Sequence, residues 1–205
     1  MEKDMAPLSD EIVIIQQLVL HERQGRDRGR WAQMAETFHP DSRVRVTWFE
    51  GTGAEFTAES EKRAAAGRRT PVHHIAAPII TLHGNRGLAE VACSIHHRFP
   101  IHGVRADLTS HTRLLYRVDR LDADWRIRSL DCIYESDALV PVMPGEGIDF
   151  DDDLLSGMRD SYRYLAYHLA INSGRVPPDD LYGDDRPDGV QVLYAEAFEW
   201  LEDDQ

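Results

Sequence analysis

The sequence predicts an α+β fold in which helices come first and a meander of long antiparallel strands follows, with the helices packed against one face of a curved sheet. Three observations carry this. Before residue 70, apolar residues recur at helical spacing in successive segments. From Val72 to about Tyr134 they alternate instead, with turn signals at His83-Gly84-Asn85, Pro100 to Gly103 and Asp122-Ala123-Asp124. Beyond Pro141 helical spacing returns, which adds a C-terminal helical extension.

Ser9 can cap the first helix, whose Ile12, Ile15, Leu18 and Val19 make one apolar stripe, and Gly25 ends it. In the second helix Trp31, Met34, Ala35 and Phe38 share a face, and Pro40 stops it. A strand from Arg43 then sets Val44, Val46 and Trp48 against Arg43, Arg45 and Thr47. After a turn at Glu50-Gly51-Thr52-Gly53, Thr57 opens a third helix that runs through Glu59, Lys62 and Ala65 to Arg68-Arg69. Its acids come first and its bases last, as the helix dipole favours. Thr70-Pro71 breaks it. Four strands follow, Val72 to Leu82, Leu88 to Phe99, Leu108 to Leu121 and Trp125 to Tyr134.

Pro141 to Gly145 reads as a linker, and Asp149 to Asp153 as the cap of a helix that carries Leu154, Leu155, Met158, Tyr162, Leu165 and Leu169 and ends at Gly174. A last helix from about Gln191 to Leu201 presents Val192, Leu193, Ala197 and Trp200. These stripes need a surface, either the core or a second subunit. The expected division is residues 1–137 for the core domain and 138–205 for an acidic linker and helical extension.

The net charge of −13 is unevenly placed: residues 141–205 hold 16 acids against 4 Arg, leaving 20 acids against 19 bases before them. So negative a tail repels phosphate backbones, which argues against a nucleic-acid partner. No segment has the basic start and apolar middle of a signal peptide, and no apolar run has the length of a membrane span, so a soluble chain is expected. Cys93 and Cys132 fall in apolar strand-like runs and read as buried reduced thiols, which fits the cytoplasm. Outward apolar strand positions and the tail stripes predict a homodimer.

Asp27 lies between the first two helices, where an aspartate ordinarily caps the helix that follows. The wider pattern is more specific. Asp27, three residues, Trp31, a helix ending in Phe38-His39-Pro40-Asp41 and then a strand resembles the start of the SnoaL-like and scytalone-dehydratase-like branch of the nuclear transport factor 2-like superfamily. The resemblance covers roughly residues 9–137 and implies a cone-shaped barrel around the N-terminal helices. It matches Asp27 to the family's catalytic aspartate. His73, the first histidine of Thr70-Pro71-Val72-His73-His74-Ile75, it matches to the histidine that pairs with that aspartate in the pocket. A carboxylate that orients an imidazole fixes its tautomer and raises its basicity, so such a pair can take a proton near neutral pH. Alone, a histidine at a strand start would be structural.

On the next strand Val91, Cys93, Ile95, His97 and Phe99 share the apolar, interior face, and His96 points outward. His97 matches, with an offset of one residue, a second catalytic histidine of the dehydratase-like branch; a core histidine bonded to a carbonyl is the equal alternative. Thr112 and Tyr116 share an interior face with Leu114 and Val118 and are candidate hydrogen-bond donors in a mostly apolar cavity. With them, Val46, Trp48 and Ile95 make up the candidate substrate wall. Tyr134, where the last strand leaves the sheet, would close the cavity mouth or pin the tail. The family's dehydratases use two tyrosines at places held here by Arg26 and Val46; Arg26, turned inward, would stabilise an enolate, whereas an arginine beside Arg28 and Arg30 is more often solvated surface.

The adjacent pairs His73-His74 and His96-His97 point to opposite strand faces and cannot chelate one ion, so no metal site is expected. No Gly-x-Gly-x-x-Gly, phosphate loop or serine-triad nucleophile motif occurs, so no cofactor is expected either. Two functions remain. One is a cofactor-independent acid/base enzyme, a lyase or isomerase of the dehydratase, isomerase or cyclase type, acting on a small apolar oxygenated molecule. The other is a non-catalytic small-ligand-binding or assembly module.

Overall fold

The structure is a computed structural model that describes residues 5–67 and 70–203, with side chains from residue 9 onward. Helix α1 (Met5–Arg28) runs past both expected ends. Ser9 lies inside it. Gly25 does not end it either, but lets α2 (Trp31–Glu36) come close, since a Cβ there would stand 3.0 Å from Met34 Cβ. The chain turns between the helices at Gly29, where φ is +67°. Helix α2 stops before Phe38, which opens β1 (Phe38–Val46). Pro40 thus sits in a strand, where the register against its neighbour slips between Phe38 and Arg43, because proline has no N–H for the ladder. Trp48 follows β1 in a turn and precedes β2 (Phe49–Gly51).

Helix α3 (Gly53–Ala65) starts four residues before Thr57. Thr52 accepts the Glu55 backbone N–H while the Glu55 carboxylate accepts the Thr52 backbone N–H, a capping box. Thr57 instead donates its hydroxyl to the Gly53 carbonyl. The expected end at Arg68-Arg69 lies outside the described residues. The strand expected from Val72 to Leu82 is two, β3 (Val72–Ile75) and β4 (Ile79–His83), separated at Ala76 to Pro78; both pair antiparallel with β5 (Arg86–Ile101). Strands β6 (Val104–Leu121) and β7 (Asp124–Pro141) complete the meander. Strand β7 runs seven residues past Tyr134, and residues 137 and 138 lie within it.

In the C-terminal part the helix expected from Asp149 to Gly174 is broken into α4 (Asp152–Ser156), a single 3₁₀ turn at Asp160–Tyr162 and α5 (Arg163–Ser173). Gly174, with φ of +63°, closes α5. A two-residue strand β8 (Tyr182–Gly183) and α6 (Pro187–Glu202) follow.

The sheet order is β2-β1-β7-β6-β5-β3, with β4 also on β5 and β8 on β7. Strands β5, β6 and β7 are antiparallel, whereas β1 runs parallel to β7. The sheet curls without closing, so the cone is open between the short edge strands β2 and β3. Inside the curl, Ile15 and Val19 of α1 pack with Met34, Phe56, Val91 and Ile127 in one buried cluster. Outside, Leu88, Leu115 and Ile133 are covered by Leu193, Ala197 and Leu201 of α6. Tyr167 of α5 completes a third cluster with Phe99, Ile101, Leu108 and Leu139. The extension therefore docks on its own chain, and some outward strand positions that seemed free for a partner are covered by α6.

Candidate active site

The inner stripe of α1 continues from Ile15 and Val19 at helical spacing into Glu22 and Arg26, so charged side chains enter the core. Glu22, Arg23 and Arg26 are 0%, 5% and 7% exposed. Buried charges persist where they are paired. Both Glu22 oxygens accept bonds from Arg23, and the Tyr116 hydroxyl donates to Glu22 at 3.2 Å. Burial opposes the Arg23 charge, but Glu22 beside it wins and holds its pKa above the ordinary value.

Asp27 occupies the last turn of α1 and does not cap α2, which has no side-chain cap. Its two oxygens face His73. Oδ1 stands 2.6 Å from the ring Nδ1, and Oδ2 accepts the backbone N–H at 2.7 Å. The His73 and Asp27 side chains are 6% and 9% exposed. Burial works to raise the Asp27 pKa, yet the bonds from His73 and the charge of Arg23 bring it below the ordinary value. For His73, burial is the largest influence, and with the charges of Arg23 and Arg26 it outweighs Asp27 and lowers the pKa to about 4. At neutral pH the pair is a carboxylate and a neutral imidazole. A ring that donates its Nδ1–H to Asp27 carries its lone pair on Nε2.

A cavity of about 530 Å³ opens beside this pair. Of the residues singled out in the sequence, Arg26, Trp48 and His97 line it. Asp27 and His73 do not, although their neighbours Arg26 and Pro71 do. His73 pairs across the ladder with Ile95, and His97 lies on the same face two residues further along β5, about 7 Å away by strand geometry. The His97 ring stands 5.1 Å from Phe99 and edge-on, at 5.0 Å, to His168 of α5. With Leu165 and Leu169, His168 makes α5 a wall of its own chain's cavity.

The other candidates serve the core. Val46 and Ile95 are partly buried against it, Thr112 donates to the Cys93 carbonyl at 3.3 Å, and Tyr116 is spent on Glu22. Tyr134 is buried in the middle of β7 and not at its end. Its hydroxyl accepts the Thr47 N–H at 2.9 Å, its ring packs 5.0 Å from Tyr162, and β8 pairs beside it, so it pins the tail. Arg63, Glu22, Arg23 and His168 were not anticipated. A charge at the continuation of an apolar stripe, as at 22 and 26, or a histidine between Leu165 and Leu169, is the signal that finds them. His96 faces outward, with its ring 4.6 Å from that of His74. Among the described residues no group of three or more His, Cys, Asp or Glu is arranged to hold a metal.

Residues 9–131 match the SnoaL-like domain. The chain belongs to the SnoaL-like family. This SnoaL-like chain is 27% identical over 191 residues to Pea pathogenicity protein 2 of Fusarium vanettenii, covering 88% of this chain and 81% of that one. It superposes with a TM-score of 0.57 and 15% identity on a Novosphingobium aromaticivorans protein named after scytalone dehydratase, over 70% of this chain and 99% of that one. The hexachlorocyclohexane dehydrochlorinase LinA-type3 of Novosphingobium barchaimii superposes with a TM-score of 0.54 and 13% identity, over 72% and 99%. At these identities the superpositions establish the fold that the SnoaL-like chain shares with dehydratase-like and LinA proteins.

Proposed function

We propose that this protein is a cofactor-independent acid/base enzyme of the dehydratase, isomerase or cyclase type, acting on a small, largely apolar oxygenated substrate. One observation carries the reading: a buried carboxylate holds a neutral imidazole by Nδ1 at 2.6 Å, which leaves Nε2 as a base. In the elimination form of the reaction His73 takes a proton from carbon, and the electron pair left behind becomes the new double bond. The neighbouring hydroxyl leaves with a proton given by a second acid, so that water is released. His97 is the candidate for that acid, and Arg26 for holding the developing enolate oxygen. The names of the two structural neighbours denote loss of water and loss of hydrogen chloride, eliminations in which a proton is removed along with the departing group.

The test is turnover. Carbonyl compounds that bind the cavity are screened for product with the wild type, Asp27→Asn and His73→Ala. Loss of product in both variants, each folded, supports the pair; full activity in either rules it out. A second reading, a non-catalytic ligand-binding or assembly module, draws on the fact that the His73 ring is not in the cavity wall. It predicts binding without product and without histidine titration.

We also infer a homodimer through α1 and β4. Val13, Ile14 and Ile79 are 55%, 49% and 69% exposed, and Gln16 of α1 donates to the carbonyl of Pro78, the residue just before β4, at 3.2 Å. Light scattering at micromolar concentration should give twice the chain mass; a monomer contradicts the inference. No described helix is long and apolar enough to cross a membrane. Cys93 and Cys132 are buried free thiols pushed up by burial to about 11 and about 12, in keeping with a reducing cytoplasm.

A further inference from the structure

The cavity wall is cationic in a chain that is otherwise acidic. Arg26, Arg63, Arg98 and Arg105 line it together with His97 and His168, and no Asp or Glu is among its lining residues. The whole chain carries 36 acids against 23 bases. Two of these guanidiniums have carboxylates of their own: Arg98 makes two bonds of 2.6 Å to Asp107, and Arg63 reaches Glu59 at 3.3 Å.

Arg26 differs. It is 7% exposed, its Nε and Nη1 are buried without a hydrogen-bond partner, and it forms no ion pair among the described residues. What holds it is stacking, 5.4 Å from the Trp48 ring and 5.4 Å from the Phe56 ring. Arg63 lies 4.2 Å from the same Trp48, so two guanidiniums flank one indole. Burial first, then repulsion from Arg23, outweighs the attraction of the Asp27 and Glu22 carboxylates, neither of which bonds to it, and lowers the Arg26 pKa to about 10, so it stays charged at neutral pH. A buried cation with unused N–H groups is costly until an anion supplies acceptors. A carboxylate fits the planar fork of one guanidinium, and Trp31, Phe99, Leu165 and Leu169 give the wall an apolar part as well.

We propose that the cavity takes an apolar carboxylic acid in its anionic form, with the carboxylate on Arg26 and the apolar body against Trp31, Trp48, Phe99 and Leu169. The proposal rests on the cavity assigned above and names the class of its substrate. It does not need the dyad to be catalytic.

The probe is 1-naphthoate compared with its neutral counterpart 1-naphthamide, titrated by calorimetry into the wild type, His73→Ala and Arg26→Gln. The acid should bind at least tenfold more tightly than the amide to the wild type and to His73→Ala, and the preference should vanish in Arg26→Gln. Retention in His73→Ala separates this claim from the base mechanism, which that variant abolishes. Should Arg26→Gln not fold, Arg26→Lys decides, keeping the charge but not the fork: a weaker acid preference supports the proposal. Equal affinity for acid and amide in the wild type, no binding of either at millimolar concentration, or an undiminished preference in Arg26→Gln or Arg26→Lys overturns it.

Discussion

Asp27→Asn changes the shape of the site hardly at all and reverses its hydrogen-bond logic. One carboxylate oxygen accepts the His73 backbone N–H at 2.7 Å, a donor that cannot change its role. In the variant the amide oxygen must therefore stay on that side, which turns the NH₂ group toward Nδ1. The ring then has to accept at Nδ1 and carry its proton on Nε2, so the base is lost without being removed. A charge-assisted bond contributes about 1.5–3 kcal/mol and a neutral one about 0.5–1.5, so stability should fall by roughly 1–2 kcal/mol. Catalysis should fall far more, by about 10²–10⁴. Nitrogen NMR of histidine-labelled protein reads the tautomer without any substrate, and urea unfolding reads the stability. The wild type should show the Nδ1–H form and the variant the Nε2–H form. An Nε2–H ring in the wild type, or the same tautomer and stability in both proteins, refutes the reasoning.

Two further outcomes follow from the same geometry. The His73 pKa of about 4 lies below its ordinary 6.5, so between those values the unfolded chain takes up a proton that the folded chain refuses. The His73 share of stability is thus complete above pH 6.5 and lost as pH falls toward 4; urea midpoints should drop across that window more steeply in the wild type than in His73→Gln, and equal slopes would contradict the assignment. The acid limb of activity should likewise fall near pH 4 and not near 6.5. Gly53→Ala would put a Cβ 2.2 Å from Phe38 Cγ, under a ring that meets Phe56 edge-on. Overpacking of this kind costs about 1–3 kcal/mol, and an unchanged thermal midpoint would show that the seam between β1 and α3 is looser than described.

The order of elements and the interior faces of β5 and β6 were legible because long alternating runs leave little choice of face: Val91, Cys93, Leu114, Tyr116 and Val118 are all buried. Boundaries were less legible where tertiary partners override local signals. Pro40 ends a helix in most contexts, but here α2 has already stopped, and the proline rides in a slipped segment of β1. The last strand reads in the sequence as leaving the sheet at Tyr134, whereas β7 continues through Glu135-Ser136-Asp137 because β6 offers a full antiparallel partner. The meeting of Asp27 with His73 was readable through family resemblance. Nothing local announces it, since 46 residues separate the two. The burial of Glu22 and Arg23 escaped notice because a charged pair reads as surface until the helix phase is carried through from Ile15 and Val19. His168 escaped because its cavity is built by segments distant in the chain, and α5 joins them when Tyr167 packs on Phe99 and Leu139.

The central claim is that His73, held by Asp27, removes protons from carbon in a bound ligand. Its most direct measurement is exchange in deuterated water: a carbonyl compound that binds the cavity is incubated with enzyme, and loss of its α-proton signal is followed by NMR. The wild type should catalyse exchange well above buffer, and His73→Ala, still folded and still binding, should not. Exchange at the wild-type rate in His73→Ala, or none above buffer in the wild type, would contradict the account.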